Sequence, residues 1–229
     1  MVYPGANHTR FEHAIGAVYL MHAAIDILRL KGQEISDEEA DAVIVAILLH
    51  DIGHGPFSHV LESTLVQGVS HEQISLLLMQ EMNRQFENKL ELAIQIFTDH
   101  YHKHFLHQLV SSQLDMDRLD YLSRDSFFTG VSEGVISTER IIKMMDVAND
   151  QLVIEAKGIY SIEKFIIAHK IEKVKELIIY DELNLTEIAW NMHYSSVAHL
   201  SNQFKKITGL TPSHFKNLKD KRRKAIEDI

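Results

Sequence analysis

The chain has 229 residues, of which 45% are hydrophobic and 24% charged, as expected for a globular protein that can bury a core. It contains no cysteine, which excludes disulfides, thiolate metal sites and thiol catalysis and fits a reducing compartment. The N-terminus has no basic-then-apolar leader, and the longest apolar runs are too short to span a bilayer. We therefore expect a cytoplasmic protein with no membrane partner.

Charged residues are unevenly distributed along the chain, and histidine is abundant. Residues 1–169 hold 12 Lys and Arg against 24 Asp and Glu, whereas residues 170–229 hold 11 against 8. An acidic body with a basic tail indicates two modules with different partners. The chain also has 15 histidines. Because histidine is the commonest metal ligand and a general acid or base near neutral pH, this enrichment favours a metal hydrolase.

Helical periodicity dominates the first part of the chain. Thr9 is a suitable N-cap for a first helix, and Ser36 for a second one that has acidic residues in its first turn. The apolar positions of the first helix recur at three- and four-residue spacing: Phe11, Ile15, Val18, Tyr19, Met21 and Ile25. Residues 53–56 break the chain into a short loop.

Further helices are predicted at residues 57–66, 71–86, 89–98, 103–124 and 138–147. Residues 150–159 differ, because apolar and polar residues alternate there around a turn at Gly158. This alternation predicts a strand or a small β-hairpin. The fold class that follows is all-α, a helical body with one small hairpin near residues 150–159 and a further helical segment after it.

Four residues have the chemistry of a metal site. His50 and Asp51 are adjacent where an apolar helix ends, and His13 and Asp117 lie on two other predicted helices. Two imidazoles and two carboxylates form a ligand set suited to a divalent Mn, Fe, Zn, Ni or Mg ion. Such an ion lowers the pKa of bound water and polarises a phosphoryl oxygen. A His-Asp pair taken alone is common by chance.

Four short sequence motifs strengthen the interpretation of the His-Asp pair as a metal site. They are Thr-Arg-Phe-Glu-His at 9–13, Leu-Leu-His-Asp-Ile-Gly-His-Gly-Pro-Phe-Ser-His at 48–59, His-Glu at 71–72 and Asp-Arg-Leu-Asp-Tyr-Leu-Ser-Arg-Asp at 117–125. In this order they closely resemble the HD superfamily, in particular its deoxynucleoside-triphosphate triphosphohydrolase-like branch. The resemblance implies an HD phosphohydrolase domain over residues 1–168, N-terminally truncated relative to the family, in which His13, His50, Asp51 and Asp117 ligate the metal.

The same resemblance implies catalytic residues around the metal. His54, His59 and His71 match positions that line the catalytic cleft. His71 with Glu72 is the implied acid–base pair, in which the carboxylate orients the imidazole. The alternative for these three histidines is a solvated or structural loop residue.

Substrate contacts are implied as well. Arg10 and Arg118 match positions that hold phosphate oxygens, for which a guanidinium fork is well suited. Tyr121 and Asp125 match positions near the substrate sugar, although Tyr121 could equally pack in the core. The implied activity is hydrolysis of a nucleotide, most simply a (deoxy)nucleoside triphosphate.

Residues 169–229 predict a second domain. A helix at 170–180, a short helix at 184–192, a turn and a further helix at 196–207 have helix-turn-helix spacing. With Phe-Lys-Lys at 204–206 and the following Thr-Gly-Leu-Thr-Pro-Ser-His-Phe, they closely resemble the C-terminal DNA-binding domain of AraC/XylS-type transcription regulators. That family carries two such units in tandem, and this chain matches the second one with its linker helix.

The last of these helices is expected to read DNA. Leu200, Phe204 and Ile207 recur on one face and are core candidates. The predicted contacts to bases and phosphates lie elsewhere on this helix: Ser196, Val197, Ala198, Ser201, Asn202, Lys205 and Lys206. One unit offers half the usual base-reading surface, so we expect a homo-oligomer. The alternative to a phosphohydrolase is a DNA-binding regulator whose HD region senses a ligand or is inactive, and the alternative for the tail is a packing domain.

Overall fold

A computed structural model describes residues 9–54, 70–129, 137–180 and 183–217. In these ranges the protein is helical apart from one two-stranded antiparallel sheet, which confirms the predicted all-α class with a small hairpin. The chain divides into two compact units. The larger unit comprises residues 8–121 and 137–161, and the smaller unit comprises residues 1–7, 122–136 and 162–229. The predicted domain boundary after residue 168 stays a prediction.

The elements follow one another in a simple order. Within the described ranges the helices begin with α1 Arg10–Leu30, α2 Asp37–Leu49, α3 His71–Gln85, α4 Glu91–Phe97, α5 His104–Val110, α6 Met116–Thr129 and α7 Thr138–Met144. The strands β1 Met145–Ala148 and β2 Gln151–Ile154, a 3-10 turn Ala156–Gly158, and helices α8 Ile159–Tyr180, α9 Leu185–Asn191 and α10 Val197–Thr208 come next. The helix predicted at residues 57–66 lies outside the described residues.

Capping boxes determine where α1 and α2 begin. The side chains of Thr9 and Ser36 accept hydrogen bonds from the backbone N–H groups of Glu12 and Glu39, whose carboxylates accept from the N–H of the two caps. Each box satisfies two backbone donors that a helix start otherwise leaves without a partner. Both predicted N-caps are confirmed.

The buried face of α1 differs from the apolar pattern of its sequence. Phe11 and Tyr19 are 72% and 73% exposed, so the largest apolar side chains of that pattern lie on the outer face. The helix instead buries small or slender residues together with one histidine: His13, Ala17, Met21, Ala24, Ile25 and Leu28. This buried face includes two alanines and no Phe, Tyr or Trp. The helix α1 can therefore pack closely against α2 with the His13 side chain turned inward.

By length and composition α1 could cross a membrane, since its 21 residues include a stretch of mean hydropathy 1.2. The shortness of the apolar runs in the sequence therefore does not exclude α1 as a membrane-spanning helix. A core helix of a water-soluble domain satisfies the same criteria, and a third of that stretch is buried inside the protein. The absence of a membrane partner stays a prediction.

The single helix predicted over residues 103–124 is wrong, because the chain breaks between α5 and α6. Ser111 is extended, with φ −145° and ψ 102°. The buried carboxylate of Asp115 then accepts hydrogen bonds from the backbone N–H of Ser112 at 2.9 Å and of Arg118 at 2.8 Å. This side-chain cap begins a new helix, which a periodicity count cannot separate from its predecessor.

The hairpin lies at residues 145–154 and turns at Asn149 and Asp150, not at Gly158. Both turn residues have positive φ, 52° and 59°, as in the type I′ turns that suit the twist of paired strands. Gly158 is instead a close-approach position: a Cβ there would lie 2.8 Å from Ile154 Cγ2 and 2.9 Å from Met144 Cβ. The predicted hairpin exists, but its boundaries and its turn were wrong.

In the smaller unit, α8, α9 and α10 share one apolar core, formed by Ile171, Val174, Ile178, Ile188, Ala189, Tyr194, Leu200, Phe204 and Phe215. Asn184 caps α9 and Ser196 caps α10, and α10 ends at Gly209 with φ 75°. The left-handed conformation that glycine adopts without strain terminates the helix there. The predicted helix-turn-helix is confirmed.

Glu39 is a buried carboxylate that ties α2 to the segment before α5. It accepts hydrogen bonds from Lys103 Nζ at 2.8 Å, from the Tyr101 hydroxyl at 2.6 Å and from the backbone N–H of Ser36 at 2.8 Å. Burial alone would raise the pKa of Glu39, but these three donors lower it overall. The folded state therefore favours the ionised carboxylate.

We predict that Glu39→Gln lowers the free energy of unfolding by about 1–3 kcal/mol near neutral pH, because a charged acceptor of three hydrogen bonds is lost. The pKa of Glu39 is lower in the folded than in the unfolded chain, where it has its ordinary value of 4.5. The difference in free energy of unfolding between wild type and Glu39→Gln is therefore at its full size above pH 4.5. It shrinks as the pH falls through the lower pKa of the folded state. Urea denaturation across this pH range measures it, and a difference that does not change with pH would contradict the prediction.

Candidate metal centre and nucleic-acid interface

Three of the four predicted metal ligands meet in the larger unit. Nε2 of His13 lies 2.9 Å from Oδ1 of Asp117, and Nε2 of His50 lies 3.4 Å from the same oxygen. One ligand atom from each residue fits within 4.8 Å of the other two. His13 comes from the buried face of α1, His50 from the end of α2 and Asp117 from the first turn of α6. These three residues are called the metal-ligand group below.

Asp51, the fourth predicted ligand, borders this group. Its Oδ1 lies 3.6 Å from His50 Nε2 and 3.2 Å from His54 Nε2. Its Oδ2 accepts a hydrogen bond from Arg10 at 3.1 Å. Asp51 thereby joins the ligand group to two residues that were predicted to act on substrate.

Both histidine rings are oriented through Nδ1. His50 Nδ1 lies 2.6 Å from the carbonyl oxygen of Ile47, and His13 Nδ1 lies 2.7 Å from Oδ2 of Asp120. An N–H on Nδ1 leaves the lone pair of Nε2 for a metal ion. Among the described residues, Nε2 of His50 is buried with no hydrogen-bond partner. A buried nitrogen in this position fits a divalent cation.

The pKa shifts of the group show that it attracts positive charge. Burial alone would lower the pKa of His13, but Asp117 and Asp120 raise it to about 9. The pKa of His50 is also raised against its burial, by Asp117 and Asp51. Burial would raise the pKa of Asp117, yet the two histidines hold it well below its usual range. A divalent cation satisfies the same negative potential as these protons.

The start of α3 supports the turn that carries His50. The Ser75 hydroxyl donates to the carbonyl of His50 at 2.7 Å and accepts from the N–H of Gly53 at 2.9 Å. A Cβ on Gly53 would lie 2.2 Å from the carbonyl oxygen of His71 and 2.4 Å from the nitrogen of Ser75. Only glycine allows this approach. Sequence reasoning placed Gly53 in a loop and missed Ser75, which has no distinctive motif.

The predicted catalytic residues are partly brought together. The rings of His54 and His71 stack with centroids 3.9 Å apart and an interplanar angle of 16°. Glu72 is exposed on the first turn of α3. His59 lies outside the described residues. The catalytic roles stay predictions.

Three of the predicted substrate residues, Arg118, Tyr121 and Asp125, lie on α6, the helix that carries Asp117. Nε of Arg118 lies 3.3 Å from Oδ2 of Asp115, which is buried at the start of α6. Burial and the charge of Asp117 raise the pKa of Asp115 to about 7. Tyr121 and Asp125 are half-buried on α6, one and two turns after Asp117.

The predicted DNA contacts lie mostly on the surface of α10. Ala198, Asn202, Lys205 and Lys206 are exposed and Ser201 is half-buried. Ser196 is the N-cap, and its side chain accepts from the N–H of His199.

Val197 is a correction to the predicted outward face of α10. It is half-buried and packs against the core of the smaller unit, because the first turn of α10 lies close to that core. Sequence reasoning omitted His199, which is exposed and forms a 3.0 Å hydrogen bond with the Ser195 hydroxyl.

Comparison with known proteins is consistent with both parts. An HD domain family model matches residues 10–125, about half of the chain, and a helix-turn-helix domain model matches residues 155–218. The chain belongs to the HD domain family. Its HD domain, residues 10–125, contains the whole metal-ligand group, and its helix-turn-helix domain contains α8, α9 and α10.

Three similar proteins illustrate the relationship. The crystal structure of a phosphohydrolase from Bacteroides thetaiotaomicron is 60% identical with a TM-score of 0.72, covering 82% of this chain and 50% of that one. A deoxynucleoside triphosphate triphosphohydrolase SAMHD1 homolog from Dictyostelium discoideum is 32% identical over 99% of this chain and 47% of its own length. The human deoxynucleoside triphosphate triphosphohydrolase SAMHD1 is 29% identical over 62% of this chain and 29% of its own length. The chain therefore spans half or less of these relatives.

We predict that Gly53→Ala lowers the free energy of unfolding by at least about 3 kcal/mol, because its Cβ would meet backbone atoms of α3 that cannot move independently. The matched control is Gly32→Ala. Gly32 has φ +91° but no atom within 4 Å of its added Cβ, so we expect a cost of only about 1 kcal/mol from backbone strain. Urea denaturation compares them, and equal losses would contradict the close approach at Gly53.

Proposed function

We propose that the protein is a metal-dependent phosphohydrolase that acts on a nucleotide, a (deoxy)nucleoside triphosphate, and that its helix-turn-helix domain binds DNA. One observation carries the enzymatic part: Nε2 of His13, Nε2 of His50 and Oδ1 of Asp117 converge, with both rings held through Nδ1. The names of the relatives support the reaction class and the substrate class.

The metal-ligand group and Asp51 together supply two imidazole nitrogens and two carboxylates. This set suits a Mn, Fe, Zn, Ni or Mg ion, with Asp51 as the fourth ligand. When bound, a divalent cation polarises phosphoryl oxygens and lowers the pKa of coordinated water.

The chain's own residues bind and orient the phosphates. Arg10 contacts Asp51 at 3.1 Å while its side chain is 54% exposed, so this guanidinium can receive phosphate oxygens beside the metal-ligand group. Arg118 is less exposed and has a carboxylate partner in Asp115, which fixes the direction of its fork. Guanidinium groups hold phosphate oxygens through paired, charge-assisted hydrogen bonds.

Proton transfer is assigned to the stacked histidines. His54 lies between Asp51 and the ring of His71, which keeps both imidazoles close to the ligands. In the proposed reaction His71 holds the proton that the leaving group requires, and Glu72 and His59 complete the catalytic set. Tyr121 and Asp125 are proposed to contact the sugar. We expect a cytoplasmic homo-oligomer.

Binding and hydrolysis are tested with purified full-length protein by metal analysis and by an assay across nucleotides that detects release of phosphate, in free form or as triphosphate. We predict bound divalent metal and turnover in the wild type. Asp117→Ala and His50→Ala should lose metal and lower kcat/KM by at least about 100-fold, because each removes a direct ligand. Asp26→Ala, on the exposed side of α1, is the matched control and should retain both.

The alternative is a regulator whose HD domain binds a ligand without turnover. Metal binding in the wild type with no phosphate released from any nucleotide would favour that alternative. A wild type without metal, or turnover that Asp117→Ala leaves unchanged, would contradict the proposed enzyme.

DNA binding is supported by the helix-turn-helix match and by the polar surface of α10. A recognition helix of this kind enters the major groove, where an asparagine can pair with adenine and a lysine can contact phosphate or guanine. Asn202 and Lys205 are exposed one turn apart on this helix.

We predict salt-dependent binding of the full chain to duplex DNA. Lys205→Ala should weaken binding and lower the slope of log affinity against log salt by about 1, whereas Asn202→Ala should reduce the preference among sequences by about 1–3 kcal/mol. Lys173→Ala is the control, since this exposed lysine lies on α8 and pairs with Glu176. Fluorescence anisotropy at several salt concentrations measures all three. If the measured signal depends on neither salt concentration nor DNA sequence, the result would contradict DNA binding and favour the alternative of a packing domain.

A further inference from the structure

Asp120 is a buried carboxylate beside the metal-ligand group to which the proposed function gives no role. Only 9% of its side chain is exposed, and its Oδ2 lies 2.7 Å from Nδ1 of His13. It follows Asp117 by three residues on α6. Residues at this spacing share one face of a helix, so α6 presents two carboxylates to the same imidazole.

The ring of His13 lies between these two carboxylates. Nε2 faces Asp117 at 2.9 Å and Nδ1 faces Asp120 at 2.7 Å. Because the two ring nitrogens point to different edges of the imidazole, Asp120 lies on the edge away from the ligand atoms. It is therefore placed to orient a ligand and not to act as one.

This placement also selects a tautomer. A neutral imidazole carries one N–H, and a carboxylate can only accept a hydrogen bond. With the N–H on Nδ1 donated to Asp120, the lone pair of Nε2 faces the position shared with Asp117. A metal requires this tautomer, since it binds the deprotonated nitrogen.

The ring of His50 is also oriented through Nδ1, but by a different hydrogen-bond partner. Its Nδ1 lies 2.6 Å from the carbonyl oxygen of Ile47, which belongs to its own helix and cannot be removed by substitution. His13 is held by a side chain on another helix. The two ligands thus have equivalent orientations, but only that of His13 depends on a residue that can be replaced.

We propose that Asp120 is a positioning residue that holds the ring of His13 through Nδ1, so that Nε2 faces the metal position shared with Asp117. This inference rests on the proposed metal-dependent function. Its effect reaches the cation through His13, whose Nδ1 it contacts.

The experiment titrates metal-free full-length protein with Co²⁺ and follows the visible absorption of the bound ion. Asp120→Asn preserves the size of the side chain and removes its charge. We expect it to weaken Co²⁺ binding by about 10- to 100-fold and to alter the absorption spectrum, as loss of a partner behind a histidine ligand does. Asp120→Glu keeps a carboxylate and should recover part of the affinity. Glu39→Gln, which removes a buried carboxylate at the opposite end of α2 from His50, controls for general destabilisation and should leave the affinity unchanged.

A double-mutant cycle tests whether Asp120 acts through His13. In a His13→Gln background, Asp120→Asn should have no further effect on Co²⁺ affinity. ¹⁵N NMR of the His13 ring gives an independent measurement, since Asp120→Asn should shift the Nδ1 resonance by removing its charged hydrogen-bond partner, while circular dichroism stays unchanged.

The outcomes separate this inference from the proposed function. A wild type that does not bind Co²⁺ contradicts the metal centre, and the role of Asp120 falls with it. A wild type that binds Co²⁺, together with an Asp120→Asn variant of equal affinity, overturns the role of Asp120 alone. An effect of Asp120→Asn that persists in full in the His13→Gln background also overturns it. If Asp120→Asn does not fold, an Asp120→Ser variant with the Co²⁺ affinity of the wild type and an unchanged ¹⁵N spectrum of His13 would overturn it instead.

Discussion

The carboxylate of Asp117 lies against the Nε2 atoms of two histidines that come from two other helices. Removing these groups from water is costly unless opposite charge accompanies them. Nearby carboxylates raise the pKa values of His13 and His50, because a proton on either ring offsets their negative charge. A divalent cation balances it without those protons, so this one arrangement connects the fold to the chemistry.

The rest of the larger unit holds those three helices in place. Slender residues on the inner face of α1 let it pack against α2 with His13 inside. The N–H of Gly53 donates to the Ser75 hydroxyl and so connects the turn after α2 to α3. A methyl group added at Gly53 would collide with the backbone of α3. The cap from Asp115 begins α6 two residues before Asp117. Each feature acts on the position of one ligand.

The sequence points to the candidate ligand residues because they are chemically distinctive. The His-Asp pair at a helix end is informative because His13, Asp117 and the neighbouring motifs occur in the same order as in the HD superfamily. The N-caps Thr9 and Ser36 were equally accessible, since capping depends on residues three positions apart. The helix-turn-helix was predictable for a similar reason: its turn and its core positions are local.

What could not be predicted depends on tertiary contacts or on small side-chain choices. Asp120 is one of several acidic residues on α6, and only its distance to His13 gives it a role. The pairing of Asp51 with Arg10 joins residues 41 positions apart. Periodicity merged α5 and α6 because the cap at Asp115 is a hydrogen-bonding event that leaves the apolar spacing intact. The hairpin was misplaced because Asn149 and Asp150 carry the turn in place of glycine.

The central claim is that His13, His50 and Asp117 bind one divalent cation. The most direct measurement is anomalous X-ray diffraction from crystals of the full chain grown with Mn²⁺, with data collected on both sides of the manganese absorption edge. The account predicts a strong anomalous peak about 2.0–2.3 Å from Nε2 of both histidines and from a carboxylate oxygen of Asp117. Diffraction that places no manganese among these three residues, or places it only elsewhere in the protein, would contradict the account.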